Sequence, residues 1–112
     1  MTVDEWAKEL KKNTVVMKKT FEANELELLN FGFMVNGSTV HCLVEVSSVD
    51  EDTTVDDFEI KLNLYNTDGD ICAVHDESAY DFTGYDTYDM WLGNFSELKD
   101  AVSKARLYVK KV

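Results

Sequence analysis

Two runs of strict alternation constrain this chain more than any other feature in it. In "TVHCLVEV", Val40, Cys42, Val44 and Val46 fall on one side, with His41, Leu43 and Glu45 on the other. In "FEIKLNLY", Phe58, Ile60, Leu62 and Leu64 alternate with Glu59, Lys61, Asn63 and Tyr65. A period of two marks a strand with one buried face, because successive side chains point to opposite sides of a sheet. Other segments extend the pattern. "TVVMKKTF" from residue 14 and "ELELLNFGFMV" read as strands, with the adjacent Leu28 and Leu29 marking a bulge or a strand covered on both faces. "MVNGSTV" predicts a hairpin whose two-residue type I′ turn is Asn36-Gly37. "DICAVHD" and "GYDTYDMWL" supply two more strands, and "ARLYVKK" closes the chain with Ala105, Leu107 and Val109 inward.

Helix is confined to the ends. Residues 2 to 12 place Val3, Trp6, Ala7 and Leu10 on one face, with Thr2 and Glu5 spaced as a capping box, so residues 1–13 form an N-terminal helical lid. "SELKDAV" forms a helical turn capped by Ser96. About seven strands, little helix and no internal repeat predict one all-β domain over residues 1–112, an antiparallel β-sandwich of the immunoglobulin-like kind. The chain has no proline, so its sheet edges must be guarded by lysines, aspartates and the N-terminal helix.

The stretch "VHCLVEVSSVDEDTTVDDFEIKLNLYNTDGDI", followed by "TGYDTYDMW" and the last strand "ARLYVKK", resembles the bacterial FxLYD-type domains and their immunoglobulin-like relatives. Leu62, Leu64, Tyr65 and Asn66 stand at that motif's aromatic, leucine, tyrosine and aspartate positions, with Asp68-Gly69 in the following turn. Leu62 and Asn66 depart from it. The resemblance covers about residues 38–110 and implies a β-sandwich accessory or interaction module, one with no catalytic residues to carry over.

Catalytic and metal-binding patterns are sparse. Counted from Asn66, "NTDGDICAVHDE" offers oxygen ligands at positions 1, 3, 5 and 12, yet position 6, which a calcium loop reserves for glycine, is Ile71. The stretch is expected to be a hairpin turn, with a weak, irregular calcium site at Asp68 and Asp70 as the alternative. His41 and Cys42 point to opposite faces of one strand, as do Cys72 and His75, so neither is a nucleophile-base pair. Two cysteines are too few for a disulfide framework or a four-ligand zinc site, and both are expected as buried free thiols; a disulfide between sheets is the alternative. No phosphate-cradling glycine loop is present, no cofactor is implied, and an enzyme is not expected. No run approaches the ~18 apolar residues that span a bilayer. "MTVDEWAKELKK" lacks the apolar core of a secretory signal, so a chain that naturally starts at Met1 is expected in the cytoplasm, and one cut from a secreted parent outside it.

Charge is the feature that bears on partners. Residues 20–98 hold eighteen Asp and Glu against Lys61 alone, a net of −17, whereas the two ends hold ten basic and four acidic residues, a net of +6, within a chain of net charge −11. The acids either keep a small proline-free sandwich soluble or face a basic protein partner. Direct binding of nucleic acid to this surface is excluded, since phosphate needs Lys and Arg. Two groups are candidates for contact: the loop acids Asp50, Glu51, Asp52, Asp56 and Asp57, and the strand face Tyr85, Asp89 and Trp91. Aromatic rings beside charge are a common composition at binding hot spots. Trp91 could equally lie covered by the N-terminal helix, beside Trp6. The expected role is a non-enzymatic protein-interaction module. The alternative is a small acidic inhibitor, of phage or immunity type, that mimics nucleic-acid charge to block a basic enzyme groove.

Overall fold

A computed structural model describes all residues 1–112. In chain order the elements are α1 (Val3–Lys12), β1 (Thr14–Val16), α2 (Lys18–Ala23), β2 (Leu26–Asn36), β3 (Thr39–Ser48), β4 (Phe58–Tyr65), β5 (Ile71–Ala79), β6 (Tyr85–Asn94), α3 (Phe95–Ala101) and β7 (Lys104–Lys111). The strands form two sheets, one ordered β1-β7-β4-β5 and the other β2-β3-β6. All pairings are antiparallel except β1 with β7, which runs parallel.

The alternation read from the sequence is the alternation of burial. Val40, Cys42, Val44 and Val46 of β3 and Phe58, Ile60, Leu62 and Leu64 of β4 are buried, and with Met90 and Leu92 of β6 and Ala105, Leu107 and Val109 of β7 they form one core cluster between the sheets. The expected inward set of the last strand is therefore the observed one. Helix α1 carries the capping box: Thr2 Oγ1 accepts from the Glu5 amide, and Glu5 Oε1 accepts from the Thr2 amide. Its buried face is Trp6 and Leu10, while Val3 stays exposed. The Trp6 ring meets Phe95 of α3 edge-on, with centroids 5.3 Å apart.

Strand order departs from the immunoglobulin arrangement. In the constant-type sandwich the sixth and seventh strands are neighbours in one sheet. Here β6 pairs with β3, while β7 enters the other sheet between β1 and β4. What the chain shares with that class is the two-layer, mostly antiparallel architecture.

Four local expectations are corrected. The strand read through "TVVMKKTF" stops after three residues, where the Met17 amide donates to Leu107 O, and Lys18–Ala23 becomes a helix that buries Phe21. Thr20 fixes that helix by accepting from the Val109 amide. The hairpin turn is centred one residue later than expected. Asn36 pairs with Thr39, Gly37 has φ of 63° and neither Asn36 nor Ser38 has positive φ, which is the pattern of a type II′ turn, with its glycine at the first central position. Ser96 is not the cap of α3; Asn94 occupies that position, and its side chain makes no capping bond. Cys72 is exposed rather than buried. Leu64 pairs with Ala73 and Tyr65 with Ile71, so Cys72 is the extra residue of a bulge. The irregularity foreseen at Leu28 and Leu29 is present, as a register shift between Leu28 and Asn30.

Candidate interaction surface

Pairing of β2, β3 and β6 builds an outer face in rows. Met34, His41 and Trp91 lie side by side, followed by Gly32, Leu43 and Asp89, then Asn30, Glu45 and Thr87, and finally Glu27, Ser47 and Tyr85. These residues point away from the core because their neighbours Cys42, Val44 and Met90 point into it. Trp91 is 58% exposed and Tyr85 56%, so no helix covers them. Trp6 is spent on Phe95 instead, which decides between the two placements of Trp91 in favour of the open one.

Polar contacts hold this face in shape. His41 Nδ1 lies 2.7 Å from Asp89 Oδ1, and its Nε2 lies 3.2 Å from the Thr39 hydroxyl. Tyr85 donates its hydroxyl to Glu45 Oε2 at 2.6 Å. Each links β3 to β6 or braces β3, and each leaves an aromatic or carboxylate edge in water. Gly32 has no side chain, and a Cβ added there would meet nothing within 4 Å. A shallow depression of about 250 Å³ results, bounded by Asn30, Gly32, Met34, Leu43, Glu45 and Thr87.

The acidic loop between β3 and β4 adjoins the Tyr85 end of this face. Buried Ser48 anchors it: its hydroxyl donates to Asp50 O and accepts from the Gly84 amide, one residue before Tyr85. Thr54 and Thr83 hydroxyls meet at 2.7 Å, and Asp57 Oδ1 accepts from the Asp81 amide, so the loop is tied to the 80–84 corner at two points. Trp91 sits six residues further along β6, roughly 20 Å away at ~3.3 Å per residue. The loop and Tyr85 are thus brought together, while Trp91 and Asp89 occupy the far half.

The five loop acids are not equivalent. Asp50 accepts from the Asp52 amide and the Thr53 hydroxyl, which hold its carboxyl below the usual carboxylate range. Asp56 meets Lys111 Nζ at 2.8 Å, and that hydrogen bond lowers its pKa too. Lys61, the nearest base in sequence, pairs elsewhere, with Glu59 and Asp76. Glu51 and Asp52 are exposed, and their carboxylates make no hydrogen bond or ion pair. Met34 and Gly32 carry no signal in the sequence that places them on this face. The outward phase of "TVHCLVEV" marks Leu43, but only the strand order reveals that Met34 and Gly32 flank it.

In the turn after β4, Asn66 Oδ1 accepts from the amides of both Asp68 and Asp70, and Gly69, with φ of 85°, donates to Asn66 O. The stretch "NTDGD" is a hairpin turn closed by its own side chain. Nowhere do three or more His, Cys, Asp or Glu side chains gather in a group that could hold a metal ion. No helix is long and apolar enough to cross a membrane. Searches against protein-family models, curated proteins and solved structures returned no match to this chain.

Proposed function

We propose that the protein is a non-enzymatic interaction module that binds a protein partner through the outer face of the β2-β3-β6 sheet, with the acidic loop steering a basic partner towards it. One observation carries this reading: Trp91 and Tyr85 stand more than half exposed on a face braced by His41, Asp89 and Glu45. Large aromatics are usually mostly buried, and at interfaces they are enriched as anchors. The depression at Gly32 gives a partner side chain a place to enter.

The charge-mimic reading is the weaker of the two. A mimic needs a row of carboxylates along the contact face, whereas Asp56 is paired with Lys111 and the remaining loop acids, though ionised, are gathered at the Tyr85 end of the face. The test is capture of partners on immobilised protein at low and high salt, using the unmodified chain and two variants, Trp91→Ala and Gly32→Leu. Both substitutions lie at open positions, so folding should survive. The expected result is one partner lost with either variant, Trp91→Ala costing ~2 kcal/mol or more if it is a hot spot. A partner held equally by all three proteins would place the contact elsewhere.

A further inference from the structure

At the other edge of the same sheet the chemistry reverses. A recess of about 670 Å³ opens between α1, β1, the start of α2 and β2. Half-buried Val16 and Phe31 lie in it, and the exposed Lys8, Lys11, Lys12 and Lys18 surround it. None of the four ammonium groups has a carboxylate within 4.0 Å, in a chain with 22 acids and 11 bases. Lys11 lies instead over the Phe31 ring, 5.4 Å from its centroid.

Lys8, Lys11 and Lys12 are spaced three and four apart on one helix, where like charges repel. The negative end of the α1 dipole accounts for Lys11 and Lys12 in the last turn, and Asp4 and Glu5 one turn earlier accompany Lys8, but neither accounts for Lys18 across the gap. The lysine stems add apolar wall to Val16 and Phe31 while the charged ends stay in water. The recess is wide and shallow, and what marks it is an apolar floor of Val16 and Phe31 inside a rim of four ammonium groups.

We propose that this recess binds a small organic anion, a carboxylate or phosphate head on an apolar body. The head sits among the four ammonium groups, and the body lies against Phe31, Val16 and the lysine stems. The recess lies at the β2 edge, on the opposite edge strand from Trp91, and shares Lys11 and Phe31 with the rim of the depression at Gly32; the test below reads its lysines and does not depend on Trp91.

The test is a titration of the ¹⁵N-labelled protein with dodecanoate below its micelle concentration, followed by amide shifts. Saturable shifts centred on residues 8–18 and Phe31 are expected. K8Q/K11Q/K12Q/K18Q should weaken binding at least roughly tenfold, and dodecanol, with the same chain and no charge, should bind weaker than dodecanoate by a similar factor. Circular dichroism checks that the variant is folded; if it is not, Lys11→Gln and Lys18→Gln singly are each expected to weaken binding. Shifts centred elsewhere, affinity unchanged in the lysine variants, or equal binding of dodecanol would overturn the proposal. Inorganic phosphate binding as tightly as dodecanoate would overturn it too, since the apolar body would then contribute nothing. Sedimentation with phosphatidylserine vesicles that disappears in the lysine variants, without binding of free dodecanoate, would reassign the recess to a membrane surface and also overturn it.

Discussion

Cys42 lies fully buried between Val40 and Val44, where burial first and Asp89 second push its thiol pKa up to about 12, while Cys72 stands exposed in the β5 bulge. Reactivity follows the thiolate and its access. Ellman's reagent is therefore expected to modify one thiol in the folded protein and the second only after unfolding; two fast thiols would count against the buried site. His75 offers a second check at this scale. It shares the inner face of β5 with Ala73, opposite Leu62, and its Nε2 is buried with no hydrogen-bond partner. Burial lowers its pKa below 6.5, against an opposing pull from Asp76. As pH falls through about 6.5 the unfolded chain takes up a proton that the folded protein resists. The unfolded state then binds more protons, so stability declines as pH drops through that value. Urea unfolding at about pH 7.5 and about pH 5.5 should show this decline, and His75→Gln should reduce it. An unchanged decline in the variant would assign the effect to other groups.

Among the elements, β4 gives the clearest contrast between inner and outer positions. Leu62→Ala is expected to cost ~2–5 kcal/mol as a core truncation. Lys61→Ala should stay within about 0.5 kcal/mol, its two ion pairs being long and near the surface. Denaturant melts that showed equal losses would reject the register. The turn between β2 and β3 is open to a similar comparison: Gly37→Ala should cost ~1–2 kcal/mol because its φ is positive, whereas Asn36→Ala should be mild. A type I′ turn would make both costly. These two elements also show where reading the sequence works and where it stops. β3 and β4 were legible because one wet face and one dry face imprint a period of two on eight residues. Helix α2 was not, since six residues are too short for a 3.6-residue period to declare itself, though Lys18, Lys19, Glu22 and Ala23 are good helix formers. Asn-Gly marked the hairpin but not its centre, because the pairing of Asn36 with Thr39 decides which two residues turn. Within the candidate surface, Tyr85, Asp89 and Trp91 could be grouped by alternation alone. Their partners Glu45 and His41, and the Lys111 beside Asp56, lie on strands whose adjacency leaves no local trace in the chain.

Over the whole molecule, residues 20–98 carry a net charge of −17 and the two ends +6, and β1 and β7 bring those basic ends together. Changing Asp50, Glu51, Asp52, Asp56 and Asp57 to their amides keeps the oxygens that accept from the Asp52 and Asp81 amides, so the fold should survive. Thermal melts at about 0.05 and about 0.5 M salt should show the unmodified protein gaining more from salt than this variant, because screening relieves repulsion the variant no longer has. Equal gains would mean that the loop carries no net strain. The pairing of the first strand with the last has a further consequence, for synthesis. Strand β7 lies between β1 and β4, so its sheet cannot close until residues 104–111 have been made. Translation adds about 5–20 residues each second. For several seconds on that scale β4, with four fully buried side chains in the finished protein, has β5 on one edge and nothing on the other. An open apolar strand is a template on which neighbouring nascent chains can pair. The acids that crowd the middle of the sequence emerge alongside β4, and like charge on neighbouring nascent chains opposes such pairing.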